Sequence, residues 1–168
     1  MDIEARLAAL ESQLAATQAR LAVLEDQEAI RECLYRYSFN ADVGRSEEWV
    51  GTWTPDGVYQ VNDVAWAGAD RLMDLIASPA NLHQTIENSS LHNVLNLFIR
   101  VEGETAWAEG YSIVVILNDG KYEIWSSAYT NYRFARIDGQ WFLTWKERQG
   151  VGGPHWGGRV IHRYLDHA

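Results

Sequence analysis

The chain predicts an α+β fold, because helical patterns fill its first half and long strand patterns fill its second. Three tight-turn signals, Glu102-Gly103-Glu104, Asn118-Asp119-Gly120 and Asp138-Gly139, divide the second half into sequential strands suited to an antiparallel meander. Of its 168 residues 47% are apolar and 22% charged, the balance of an ordinary folded domain long enough to bury a core.

From Met1 to about Glu25 the chain is rich in Ala, Leu, Glu, Gln and Arg, with no Gly or Pro. This composition favours helix. Ile3, Leu7, Leu10, Leu14, Thr17, Leu21 and Leu24 recur at alternating spacings of four and three, the seam of a coiled coil, and residues 1–25 are therefore set apart as an oligomerising appendage. The seam slips out of phase after Leu24. A second helix is expected to start at Asp26 as its N-cap and to end at Gly44, with the domain proper covering residues 26–168. Ile30, Leu34, Tyr37 and Ala41 share one face of it and should cover a core. Asp42 is the misfit: a carboxylate in the last turn of a helix lies against the negative end of the helix dipole.

Ser46 can cap a short helix, SEEWVGTW, stopped by Pro55, and Pro55-Asp56-Gly57 reads as a turn. Val58 to Val61 form a short strand pattern, Gly68 to Ala77 a short helix, and Ala80 to Asn88 an irregular polar stretch. Four strands follow, at Leu91–Val101, Thr105–Leu117, Lys121–Ile137 and Trp141–Val151. Strands this long must curl, so a concave face is expected to wrap the helices. A Gly-rich turn after Val151 leads to a tail that suits a further strand or an ordered arm.

Function classes narrow by exclusion. With 14 basic and 23 acidic residues the net charge is −9, unsuited to nucleic acid or an anionic membrane surface. A small neutral or hydrophobic ligand fits that charge better, and eight Trp and eight Tyr suit either a packed interface or an aromatic-lined pocket. Cys33 is the single cysteine, so no internal disulfide forms, and it is expected as core filler. Neither a signal peptide nor a membrane span is legible, which points to the cytoplasm. Phosphate loops, nucleophile elbows and metal-ligand spacings are absent among His83, His92, His155, His162 and His167, so no metal or cofactor is expected. Strand alternation puts His92, Val94, Asn96, Phe98 and Arg100 on one face, a mixed polar and apolar wall fit for a pocket, although a buried histidine satisfied by one backbone bond would look the same.

The succession of Leu24, Asp26, Ala29, Ile30, Leu34, Tyr37 and Asp42, then Thr54-Pro55-Asp56-Gly57, then His92 and Asn96, then Gly103 to Ala108, then Tyr129 to Trp141 resembles the SnoaL-like branch of the nuclear transport factor 2-like superfamily. The resemblance spans roughly Leu24 to Arg148. It implies a conical α+β barrel, helices packed in the concave face of a curled, mostly antiparallel sheet, with a deep pocket between them and a homotrimer as the assembly. It also implies cofactor-independent lyase chemistry of the kind carried out by bile acid 7α-dehydratase, hexachlorocyclohexane dehydrochlorinase and scytalone dehydratase. Tyr37, Asp42 and His92 match catalytic positions of those enzymes, with His92 as base, Asp42 as its partner and Arg148 as an assisting cation. Lys146 shares the strand face of Arg148. A lysine stands in the dehydrochlorinase where this chain has Tyr37, which makes halide elimination the less natural match. Trp49, Trp53, Tyr59, Trp66, Asn96 and Phe98 are the expected substrate-binding residues. Isomerisation, cyclisation and aldehyde-releasing carbon–carbon cleavage are alternatives on the same two residues, and a noncatalytic protein, either a ligand-binding pocket or a structural subunit like the small subunit of aromatic-ring dioxygenases, is the alternative from another class.

Overall fold

In a computed structural model that describes residues 2–79, 83–86 and 88–153, the first element is a single helix, α1 (Ile3–Asp42). The break expected at Asp26 does not occur. No Gly or Pro interrupts the run, so the change of phase after Leu24 rotates the apolar face without ending the helix. Asp26 therefore caps nothing. Its carboxylate accepts hydrogen bonds from Arg136 Nη1 at 3.0 Å and Trp141 Nε1 at 2.9 Å, tying the middle of α1 to the sheet. From Ile30 onward Ile30, Cys33, Leu34, Tyr37, Ser38 and Ala41 are buried. Gly44 takes a φ of 71°, and the Arg45 N–H donates to the Asn40 carbonyl at 2.9 Å, a Schellman closure that ends α1 beyond Asp42.

Helix α2 (Ser46–Val50) is shorter than expected, and Ser46 is its first residue rather than its cap. Strand β1 (Trp53–Val61) absorbs Pro55, Asp56 and Gly57, which form an irregularity within the strand in place of a turn: its pairing with the last strand shifts register between Trp53 and Val58. A tight turn at Asn62, with φ 51°, leads to β2 (Val64–Ala67), a strand whose four residues carried no clear alternation. Helices α3 (Ala69–Ala77) and α4 (His83–Ile86) follow. The meander then runs through β3 (Ser90–Glu102), β4 (Thr105–Asn118), β5 (Lys121–Ile137) and β6 (Gln140–Gly150), its hairpins turning at Gly103, Gly120 and Gly139, each at positive φ. The tail and its His155, His162 and His167 lie outside the described residues, as do residues 80–82 and 87.

The six strands lie in the order β2-β1-β6-β5-β4-β3, antiparallel except for the parallel β1–β6 pair. The sheet curls without closing, and its concave side holds α1, α2 and α3 over a core of Ile30, Leu34, Trp49, Leu72, Phe134 and Leu143. Cys33 lies in this core, fully buried, and burial pushes its thiol up to about 11. A thiol held protonated in the fold but ionising near 9 when unfolded contributes stability below pH 9 that is lost as pH rises toward 11. The wild-type chain is expected to lose about 2 kcal/mol more than Cys33→Ala over that interval in urea titrations. Parallel curves for the two chains would show that the thiol ionises equally in both states.

Candidate functional site

Asp42 and His92 come together across 50 residues because the last turn of α1 abuts the start of β3. The Asn88 N–H donates to the Asp42 carbonyl at 3.0 Å, pinning the helix end to the segment that leads into the strand. The Asp42 carboxylate then gathers donors from β3: the Ser90 hydroxyl at 3.2 Å, the His92 backbone N–H at 3.1 Å to each oxygen, and the His92 ring at 2.6 Å from Nδ1 to Oδ1. No basic residue lies in the last turn of α1, so these sheet donors are what offset the carboxylate at the negative helix end. A carboxylate can only accept, so Nδ1 carries a proton, and in the neutral imidazole the lone pair lies on Nε2. The two side chains are mostly buried, at 18% and 14% exposure for His92 and Asp42.

His92 lines a cavity of about 240 Å³ between the helices and the concave sheet. Its wall also includes Tyr37, Trp49, Tyr59, Trp66 and Arg148, with apolar groups from Leu75, Ile76, Ile86 and Val114. Asp42 does not line it. Tyr37 and Asp42, about 140° apart around the helix at the normal pitch, thus serve one site from two sides, the tyrosine from within and the aspartate from behind His92.

Beneath this cavity Lys146 is 3% exposed and donates to the Tyr37 hydroxyl at 2.6 Å. Alternation on β6 turns Lys146 and Arg148 to the same interior face, where they pair with Tyr132 and Thr130 of β5. The Lys146 Nζ lies 4.1 Å from the ring centre of Tyr37 and 4.6 Å from that of Tyr59, contacts that favour an ammonium. Burial, reinforced by the Arg148 charge, works the other way and holds Lys146 well below its usual range. Desolvation of a fully enclosed ammonium outweighs ring contacts of about 2 kcal/mol, so the permanent positive charge of the site resides on Arg148. Arg148 is anchored to Ser126 Oγ at 2.7 Å, with Ser112 Oγ at 3.4 Å. Burial and the neighbouring Tyr59 and Tyr132 push Tyr37 well above the usual tyrosine range, so it stays a protonated phenol.

The expected binding residues divide. Trp49, Tyr59 and Trp66 line the cavity. Trp53 is 4% exposed and stands behind the wall, its ring centre 5.6 Å from Trp49 and 6.1 Å from Tyr59 in a continuous aromatic layer. Asn96 and Phe98 are on the other side of the sheet, in a depression shared with Gly110, Tyr111 and Tyr129. The alternation that put them beside His92 is interrupted by a bulge: the β3–β4 register shifts between Leu95 and Phe98, and Asn96 adopts φ 51°. Leu97, Ile99 and Val101 take the inward places instead. Gly110 on β4 permits this, since a Cβ there would sit 2.7 Å from the Leu95 carbonyl. A glycine inside a strand pattern facing an asparagine was the available signal.

His83 and Trp125 were not anticipated. His83 stacks on His92 with ring centres 5.8 Å apart and lines the cavity from α4, within a stretch of no periodicity. Trp125 reaches the cavity from a second bulge, where the β4–β5 register shifts between Val114 and Val115 and leaves it between the paired Ile124 and Ser126.

A SnoaL-like domain model matches residues 22–145, most of the chain, including Asp42 and His92 and ending just before Lys146 and Arg148. The chain belongs to the SnoaL-like family. Among solved structures, this SnoaL-like domain is similar to an NTF2-like protein with a cystatin-like fold from Novosphingobium aromaticivorans, at 28% identity, a TM-score of 0.77, and coverage of 84% of this chain and 92% of that one. A protein of unknown function from Mycobacterium tuberculosis aligns at 21% identity and a TM-score of 0.71 over 82% and 80% of the two chains. A candidate scytalone dehydratase from Novosphingobium aromaticivorans aligns at 17% identity and a TM-score of 0.66 over 82% and 91%. The last two likenesses concern the fold alone. No curated protein matches the chain. Among the described residues no helix is long and apolar enough to cross a membrane.

Proposed function

We propose that this SnoaL-like domain is a cofactor-independent lyase that eliminates water from a hydrophobic cyclic or aromatic small molecule. The observation that carries this reading is the 2.6 Å hydrogen bond from His92 to Asp42 at the wall of an open, aromatic-lined cavity. His92 Nε2 removes a proton from a carbon next to a carbonyl or aromatic ring, and Asp42 orients the imidazole and stabilises the imidazolium. The C–H electron pair forms the new double bond as the carbon–oxygen bond to the leaving hydroxyl breaks. The imidazolium passes the abstracted proton to the leaving hydroxyl, so the products are the alkene and water and His92 returns to its neutral form, while Tyr37, a neutral phenol, hydrogen-bonds to the departing oxygen. Arg148 provides the fixed charge for an oxygen that becomes enolate-like in the transition state.

The family resemblance supports a homo-oligomer, a trimer on that resemblance, and the net charge of −9 speaks against nucleic acid as a partner. The chemistry is tested by incubating the enzyme with hydroxylated and halogenated cyclic ketones and following conjugated-alkene absorbance, with proton exchange in deuterated water as a second signal. Alkene formation is expected from hydroxylated ring ketones before halogenated ones. Tight binding across the panel with neither alkene nor exchange would replace this reading with that of a ligand-binding protein.

A further inference from the structure

Every residue from Asp2 to Glu25 is exposed, so the first half of α1 projects from the domain with no protein against it. Its seam is apolar nonetheless: Ile3, Leu7, Leu10, Leu14, Leu21 and Leu24 are each more than 50% exposed. At 100° per residue the Leu21–Leu24 edge points about 150° away from the face that Ile30, Cys33, Leu34 and Tyr37 bury in the domain. The projecting seam is thus on the side of the helix open to a partner.

The flanking charges specify which partner. With Leu7, Leu14 and Leu21 at a and Ile3, Leu10, Thr17 and Leu24 at d, the g positions are Arg6, Gln13 and Arg20, and the following e positions are Glu11, Gln18 and Glu25. In a parallel, in-register pair of identical helices each g faces the next e of its neighbour. Arg6 meets Glu11, Gln13 meets Gln18, and Arg20 meets Glu25, so every pair is complementary. In an antiparallel pair g faces g and e faces e, which sets arginine against arginine and glutamate against glutamate. We infer that a second copy of this chain lies along this seam, parallel and in register, as a coiled coil over residues 3–24.

The coil has a built-in end. The next two seam positions, Glu28 and Arg31, are ion-paired to each other at 3.2 Å within one helix, so the strands part where the domains begin. Beyond that break Tyr35 and Phe39, exposed and stacked with ring centres 6.4 Å apart, lie on the same side of α1 and extend an apolar surface between neighbouring domains. A parallel coil brings the domains to one end and sets their cavities side by side.

Cysteine cross-linking of the full chain tests the orientation. Leu7→Cys under mild oxidation is expected to give a disulfide-linked dimer, whereas an equal mixture of Leu7→Cys and Leu21→Cys should give no link between the two variants beyond the wild-type blank. The fully buried Cys33 keeps that blank low. A link between positions 7 and 21, or a wild-type chain that is monomeric by light scattering, overturns the proposal. Because Leu7→Cys also weakens the seam, charge reversal gives a second measurement. Arg6→Glu with Arg20→Glu should raise the dissociation constant about tenfold or more, and adding Glu11→Arg and Glu25→Arg to the same chain should restore it. These four positions are exposed, so the domain itself is unaffected, and a dissociation constant indifferent to the reversal overturns the proposal equally.

Discussion

Replacing His92 with alanine is expected to lower kcat by about 10³-fold, within the range that a positioned general base supplies. The fold should persist: the Asp42 carboxylate keeps the backbone N–H of residue 92 and the Ser90 hydroxyl as donors, so no buried charge is stranded. Ligand affinity should change little, since the rest of the cavity wall, Tyr37, Trp49, Tyr59 and Arg148 among it, is untouched. Alanine leaves room where the ring stood, and added imidazole should recover part of the lost rate. Steady-state kinetics with and without imidazole, beside circular dichroism and a ligand-binding isotherm, provide the measurement. A kcat within tenfold of wild type would remove His92 from the chemistry and leave the cavity as a binding site.

The second large effect is expected from Asp42→Asn. An asparagine can offer its amide oxygen to His92 Nδ1–H or to the backbone N–H, but its NH₂ group then faces donors where an acceptor is required. The imidazole loses its fixed orientation and the charge that stabilises it as an imidazolium. A fall in kcat of about 10²- to 10⁴-fold is expected, with KM nearly unchanged because Asp42 is not on the cavity wall. Stability should move by only about 1 kcal/mol: removing a negative charge from the C-terminal end of α1 relieves the helix dipole while weakening charge-assisted hydrogen bonds from β3. A substantial rate loss without comparable destabilisation separates catalysis from scaffolding. If instead the variant unfolds easily yet retains its rate, Asp42 serves to dock the helix onto the sheet.

These two substitutions act on a contact that local sequence could suggest without fixing its geometry. Asp42 was conspicuous as an acid at the wrong end of a helix, and His92 as the polar opening of a strand. Their separation of 2.6 Å depends on how far β3 curls toward the end of α1, which the packing of both elements on a shared core decides. The same distinction explains the binding residues. Trp49, Tyr59 and Trp66 line the cavity, whereas Asn96 and Phe98 do not, because alternation predicts a face only until a bulge adds a residue. His83 belongs to a stretch without periodicity, and Trp125 is itself the extra residue of a bulge.

What the sequence determined by itself was the content of the chain in order: a helix with an apolar face at Ile30, Leu34, Tyr37 and Ala41, a second short helix before Ser78, and four long strands with turns at Gly103, Gly120 and Gly139. These follow from period, propensity and turn chemistry, which are properties of neighbours along the chain. Tertiary structure alone decided that β1 joins β6 in parallel, that Lys146 is enclosed beneath Tyr37, and that Asp42 supports His92 from outside the cavity. Each of those depends on which distant residues share a core, a free energy that no short window of sequence contains.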